Sequence, residues 1–222
     1  MSIAENLKAI RATLPSHVQL VCVSKFHPNE SILAAYETGE RIFGESKVQE
    51  VCQKHDALPK DIVWHFIGHL QSNKIKFLVP FVSLIHGVDS YRLLQEIDKQ
   101  AVKAGRTINC LLQVHVAKEE TKFGFSPQEL EEMLQVGEWR NLASVHISGL
   151  MGMATFTEDQ ARIRAEFHSL RTIFDHVKNT FFSGQSSFDT LSMGMSEDYR
   201  IAVEEGSTMV RVGSSIFGER QY

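Results

Sequence analysis

What most constrains the fold of this chain is a rhythm. Short, almost wholly apolar runs rich in β-branched residues recur at 18–25, 41–44, 63–68, 82–86, 108–116, 144–150, 190–193 and 208–212. They are apolar along their length instead of alternating, the pattern of strands covered on both faces, as in a parallel sheet with helices outside. Helical spacing fills most of the gaps. Ser2-x-x-Glu5 is a capping box ahead of Ile3, Leu7 and Ile10, and 29–38 carries Ile32, Leu33 and Tyr36 before Gly39. The segment 91–104 places Leu93, Leu94, Ile97 and Ala101 on one face and stops at Gly105. Ser126-Pro127-Gln128-Glu129 combines an N-cap, a proline at N1 and a glutamate at N3. Thr157-x-x-Gln160 is read as the cap of a long helix with Ile163, Phe167, Leu170, Phe174 and Val177 inward. Ser72-Asn73 is expected to cap the helix after the third strand, and a helix is expected over 196–205.

Eight strand–helix units without a linker or repeat predict one domain over 1–222, a (β/α)8 barrel. The alternative, a doubly wound open sheet, usually carries a Gly-rich first turn that this chain lacks. With 43% hydrophobic and 23% charged residues the chain reads as ordinary globular protein, and its net charge of −4 offers no bulk attraction to nucleic acid or anionic membranes. No apolar run is long enough to span a bilayer, and the first residues lack a signal-peptide pattern. Three widely spaced cysteines, Cys22, Cys52 and Cys110, form no disulfide framework, and the first and last lie in strand-like runs as small core residues. A reduced, cytoplasmic setting is expected.

In a barrel the chemistry sits at the C-terminal ends of the strands. Lys25 closes the first apolar run just before Phe26-His27-Pro28, so it should stand on that rim. An amine stemmed by apolar residues can be desolvated, lose its proton and form a Schiff base with a carbonyl compound; a solvated lysine closing a strand is the plainer reading. The eighth run ends in Arg211, then Gly213-Ser214-Ser215 leads into a helical turn whose N–H groups and Ser214 hydroxyl suit phosphate oxygens. Ser192, ending the seventh run, is expected to add its hydroxyl to that pocket. Ser196, followed by Glu197 and Asp198, reads as an N-cap. Gly194-Met195-Ser196 fails as a nucleophile elbow because Asp198 stands where the closing glycine belongs.

Ten histidines invite a metal reading, yet His65 and His69 lie in a strand-like context interrupted by Gly68, and His115 and His146 lie on separate strands. No basic stripe supports nucleic-acid binding, and Lys74 and Lys76 read as the solvated start of a helix.

Val23-Ser24-Lys25, Phe43-Gly44-Glu45, Trp64-His65-Phe66-Ile67-Gly68-His69-Leu70-Gln71-Ser72-Asn73-Lys74, Gly149-Leu150-Met151, Leu191-Ser192-Met193-Gly194-Met195-Ser196 and Val210-Arg211-Val212-Gly213-Ser214 stand in the order and spacing of a known family. From about residue 3 to the end the chain resembles the pyridoxal phosphate homeostasis proteins. The resemblance implies a single barrel like the N-terminal domain of alanine racemases, with pyridoxal 5′-phosphate held on Lys25 as a Schiff base. It also implies Arg211 facing the pyridine nitrogen, Gly213, Ser214 and Ser192 on the phosphate, and Met193 and Ser46 in the cofactor-binding set. Two positions depart from the family. Ser46 replaces the asparagine that usually follows Phe-Gly-Glu, and His115 ends Gln113-Val114-His115 where asparagine is commoner.

The resemblance implies a protein that buffers the cofactor or delivers it to apo-enzymes that use it, without turnover of its own, as a monomer or weak dimer. The alternative is an amino-acid racemase-like enzyme on the same cofactor; such enzymes carry a further β-domain, for which the sequence up to Tyr222 leaves no room. A third reading is an aldolase-like barrel using Lys25 directly on a sugar phosphate.

Overall fold

The computed structural model describes residues 2–117 and 123–219. Eight parallel strands follow one another around a closed barrel: β1 (Gln19–Val23), β2 (Ile42–Glu45), β3 (Val63–Phe66), β4 (Leu84–Val88), β5 (Ile108–Gln113), β6 (Val145–Met151), β7 (Thr190–Ser192) and β8 (Met209–Val212). Closure comes from β1 pairing with β8, Leu20 opposite Val210 and Val21 opposite Arg211. Outside run α1 (Ile3–Arg11), α2 (Asn29–Glu37), α3 (Val48–Ala57), α4 (Ile75–Leu78), α5 (Tyr91–Ala104), α6 (Pro127–Val136), α7 (Gln160–Phe181), α8 (Tyr199–Glu204) and α9 (Ser214–Phe217). The (β/α)8 barrel expected from the sequence is the architecture found.

Most strands carry apolar residues on both faces because each face meets a different core. Cys22, Phe43, Trp64, Ile85, Leu112, Leu150 and Val210 point outward to meet Leu94, Ile97, Phe167 and Leu170 of the helices. Val21, Leu84, Leu111, Met151 and Met209 point inward and plug the barrel as a second, smaller cluster. Burial of this kind, at about 25 cal/mol per Å² of apolar surface, is what drives the sheet to close. Cys22 and Cys110 are core residues, as the apolar runs predict.

Both predicted capping boxes form, at Ser2/Glu5 and Ser126/Glu129. Helix α5 ends where expected, with Gly105 in the left-handed region at φ 63°. Four expectations shift. Strand β4 lies two residues later than predicted, because the Val82 N–H still donates to Leu78 O as a continuation of α4 while Leu84 is the first residue to face His65 on β3. Ser72 caps nothing: it sits inside a 3-10 turn (Ser72–Lys74) preceding α4. The cap of α7 is Asp159, whose carboxylate accepts the Ala161 and Arg162 N–H groups, while Thr157 Oγ1 accepts only the Asp159 N–H. Helix α8 begins at Tyr199 with Asp198 at its N-cap position, which frees Ser196 for another role. The stretch between β2 and β3, for which the sequence predicts no element, forms α3.

Among the described residues no helix is long and apolar enough to cross a membrane, and no group of three His, Cys, Asp or Glu side chains could hold a metal ion.

Candidate functional site

Above the apolar plug, toward the C-terminal ends of the strands, the barrel interior turns polar. His65 on β3, His86 on β4, Ser192 on β7 and Arg211 on β8 are all buried there. They form one string: Arg211 Nη1 donates to Ser192 Oγ at 2.6 Å, His86 Nδ1 lies 3.0 Å from the same oxygen, and His86 Nε2 lies 3.0 Å from His65 Nδ1. Arg211 Nη2 also donates to Gly152 O at 3.1 Å. A consistent donor order runs from Arg211 through Ser192 to His86 and His65, with the His86 proton on Nε2. Burial lowers His65 to about 3 and His86 well below its ordinary value, so both are neutral at physiological pH. Burial also lowers Arg211, to about 10, with the Asp198 carboxylate opposing, and the guanidinium stays charged.

Over this floor opens a cavity of about 840 Å³ lined by Lys25, Arg211, Gly213 and Ser214 together with Ser196 and Ile67. Lys25 stands two residues beyond the end of β1. The Ser24 N–H still pairs with Gly44 O at 3.1 Å, and Phe26 then turns into the left-handed region at φ 66°, the one non-glycine residue to do so among those described. That conformation costs a β-carbon residue about 1–2 kcal/mol and needs support from its surroundings. Helix α3 gives it. Phe26 N–H donates to Glu50 Oε1 at 2.7 Å, and Lys54 Nζ donates to Ser24 O, Glu45 Oε1 and Glu50 Oε1 at 2.9, 2.7 and 2.6 Å. Ser24 Oγ donates to Glu45 Oε1 at 2.6 Å. Burial raises the Glu45 carboxyl to about 7 against the pull of Lys54, and its Oε2 is buried without a hydrogen-bond partner.

On the neighbouring β8 side, Ser196 Oγ accepts the Gly213 N–H at 3.1 Å, so the hydroxyl joins the β7–α8 loop to the turn at the start of α9. Asp198 holds the same loop by accepting the Met195 N–H at 2.6 Å, and burial raises its carboxyl. A third wall is the loop between β6 and α7. There the Thr155 N–H and hydroxyl donate to the buried Glu166 carboxylate at 2.6 and 2.8 Å, fastening a loop that carries Phe156 at the mouth, 89% exposed.

The structure therefore brings Lys25, Arg211, Gly213 and Ser214 to one cavity but not the other three sequence candidates. Ser192 is completely buried beneath it and spent on Arg211 and His86, because the pleat that points Arg211 inward points Ser192 inward as well. Met193 is fully buried on the helix side of the sheet. Ser46 borders a separate hollow of about 250 Å³ with Lys47 and His69. Its backbone there lies against Gly68, where a Cβ would fall 2.3 Å from Ser46 O, so the glycine of the Trp64–Lys74 block is a close-approach position. Sequence reasoning missed Ser196, Glu50 and Lys54. Ser196 was masked by its resemblance to an N-cap, and Glu50 and Lys54 lie in the unassigned α3, where only their i,i+4 spacing marks them.

The donor set of the cavity is an amine on a backbone kink, a buried guanidinium, and two hydroxyls grouped at a short helical turn. It fits a ligand carrying a carbonyl at one end and an anion at another. The profile of the alanine racemase N-terminal domain family matches residues 1–221. The pyridoxal phosphate homeostasis protein of Aquifex aeolicus is 40% identical over 92% of this chain and 88% of its own, and that of Pasteurella multocida 33% over 100% and 99%. PipY of Synechococcus elongatus, solved without PLP, superposes with a TM-score of 0.92 at 39% identity, covering 98% of this chain and all of PipY; its structure with PLP bound gives 0.87. Alanine racemase of Clostridium difficile, at 15% identity and a TM-score of 0.79 over 56% of that chain, shares the fold.

Proposed function

This chain belongs to the alanine racemase N-terminal domain family, among its pyridoxal phosphate homeostasis proteins, and on that premise we propose that it binds pyridoxal 5′-phosphate through Lys25 and holds or delivers the cofactor without turning over a substrate of its own. The observation that carries this reading is the convergence of Lys25, Arg211, Ser196, Gly213 and Ser214 on one cavity, which at about 840 Å³ is ample for a molecule of that size. When bound, the cofactor supplies an aldehyde that condenses with a primary amine and a pyridine ring that can accept electrons.

Each residue has a task the geometry supports. Lys25 offers the amine. Ser196 and Ser214 offer hydroxyls, with backbone N–H groups of the turn beside them, to the phosphate. Arg211, anchored by Ser192 and Gly152, is assigned to the ring nitrogen; as a guanidinium with its carboxylate neighbour Asp198 it gives up no proton at neutral pH, which keeps the ring a weak electron sink. The partners proposed beyond the cofactor are apo-enzymes that use it.

The test is the visible spectrum of the purified protein, followed by borohydride reduction and mass analysis of the Lys25 peptide. Wild-type protein should be yellow and carry the cofactor fixed on Lys25, and Lys25→Ala should be colourless. A wild-type protein that takes up the cofactor without modification of Lys25 would overturn the tether. Racemisation or CO2 release from L-alanine or other amino acids at enzymatic rates would overturn the carrier reading in favour of the enzyme.

A further inference from the structure

Resting on the reading of Lys25 as the tether, we infer that Glu50 and Lys54 of α3 are positioning residues for Lys25, which grip the two peptide groups on either side of it. The Ser24–Lys25 peptide is held by its carbonyl, which accepts from Lys54 Nζ at 2.9 Å. The Lys25–Phe26 peptide is held by its N–H, which donates to Glu50 Oε1 at 2.7 Å. The two grips are joined, since Lys54 Nζ also donates to Glu50 Oε1 at 2.6 Å. One residue whose flanking peptide planes are both fixed to the same helix has its own φ and ψ fixed, and with them the direction in which its side chain leaves the backbone.

The chemistry of Lys54 fits this role and no proton-transfer role. An ammonium has three N–H donors, and the three acceptors Ser24 O, Glu45 Oε1 and Glu50 Oε1 use all of them. Its side chain is 7% exposed and does not line the cavity. Glu45 extends the brace from β2, accepting from Ser24 Oγ as well as from Lys54. The left-handed Phe26 follows directly on the braced peptide, and a strained φ of this kind persists only where the surroundings hold the chain in place. A rim lysine on a loose loop would sample many directions; here a helix, a strand and a buried ion pair converge on its backbone.

The test uses full-length protein freed of any cofactor by hydroxylamine and dialysis, so that Lys25 is an amine in every variant. Lysines are reductively methylated with formaldehyde and a borane across a pH series, with the Lys25 peptide followed by mass spectrometry, and exchange of the Phe26 amide is measured in parallel. In Glu50→Ala the Lys25 midpoint should move by about 0.5 pH unit or more and Phe26 should exchange about tenfold faster or more. Glu50→Gln separates position from charge. Its amide oxygen still accepts from Phe26, so positioning predicts a near wild-type profile, whereas a pure charge effect predicts the profile of Glu50→Ala and overturns the inference. Lys54→Met should behave as Glu50→Ala, with rescue by Lys54→Arg. If Lys54→Met does not fold, Glu50→Ala, at a side chain 20% exposed, decides alone. Wild-type Lys25 and Phe26 behaviour in Glu50→Ala, with or without a lowered unfolding midpoint, overturns the inference. Absence of a borohydride-fixed cofactor on wild-type Lys25 refutes the tether separately, and the methylation profile still reports on positioning.

Discussion

Acidification from about pH 7.5 to about pH 5.5 is expected to weaken the folded state through two histidines in the barrel interior. His65 and His86 are 4% and 0% exposed and lie 3.0 Å apart, Nδ1 to Nε2. Burial lowers His65 to about 3 and keeps His86 well below 6.5, where the second ring and the Arg211 cation push it further. The folded chain leaves both neutral over this pH range, while the unfolded chain protonates each near 6.5. The unfolded state therefore binds more protons as the pH falls. The stability is fully present above about pH 6.5 and is lost progressively toward the folded value of His65 near 3. Over the two pH units each histidine removes about 1.4 kcal/mol, and the pair about 3 kcal/mol. The size is insensitive to the folded value as long as that value lies below about pH 4.5. Glu45 acts in the opposite sense, since burial raises it to about 7 and acidification relieves the cost of its buried charge. A bare pH curve mixes the two, so the measurement is a difference. Urea unfolding of wild type and His86→Gln at both pH values isolates His86, because glutamine keeps a donor and an acceptor between Ser192 and His65 but does not titrate. The variant should lose about 1.4 kcal/mol less than wild type on acidification. An identical loss in both proteins would refute a neutral, buried His86.

Removal of the Ser192 hydroxyl in Ser192→Ala strands a buried guanidinium donor and a His86 nitrogen, and should cost about 3 kcal/mol in urea unfolding, read near pH 7.5; a cost below about 1 kcal/mol would show that water replaces it. Ser196→Ala should weaken pyridoxal phosphate binding about tenfold, measured by fluorescence titration, with the unfolding midpoint nearly unchanged. Gly68→Ala drives a Cβ into Ser46 O and should destabilise the fold by about 1–3 kcal/mol, measured by urea unfolding; wild-type stability would mean that the tips of β2 and β3 part freely.

Much of the fold can be read locally. A strand buried on both faces has to be apolar throughout, which is why Gln19–Val23 and Ile108–Gln113 stand out in the sequence, and α5 announces both its inward face and its end at Gly105. The boundaries of β4 did not stand out, because Val82 belongs to the helix side and Val88 to the strand although both are apolar. Helix α3 was hidden because its inward face is narrow, with Val51 and the aliphatic stem of Lys54 its buried residues.

In the candidate site the same division holds. Lys25, Arg211, Gly213 and Ser214 could be placed from sequence because each lies at or just beyond the end of a strand, and strand ends of a barrel share one rim. The sequence assigns Ser192 to the phosphate pocket and Ser196 to a helix N-cap, but only the closed barrel decides which hydroxyl lies under Arg211 and which beside Gly213. Nor could the brace on Lys25 be foreseen. It joins Ser24 to Lys54 and Phe26 to Glu50 across 30 and 24 residues of chain, and contacts at such separation exist only once β1, β2 and α3 have packed. The sequence alone determined a barrel with a lysine and a Gly-Ser-Ser turn on its rim, because periodicity and strand ends are local properties. Which charges are neutralised, which hydroxyl faces the cavity and how the lysine is aimed were decided by tertiary packing, because those depend on which distant groups share a space closed to water.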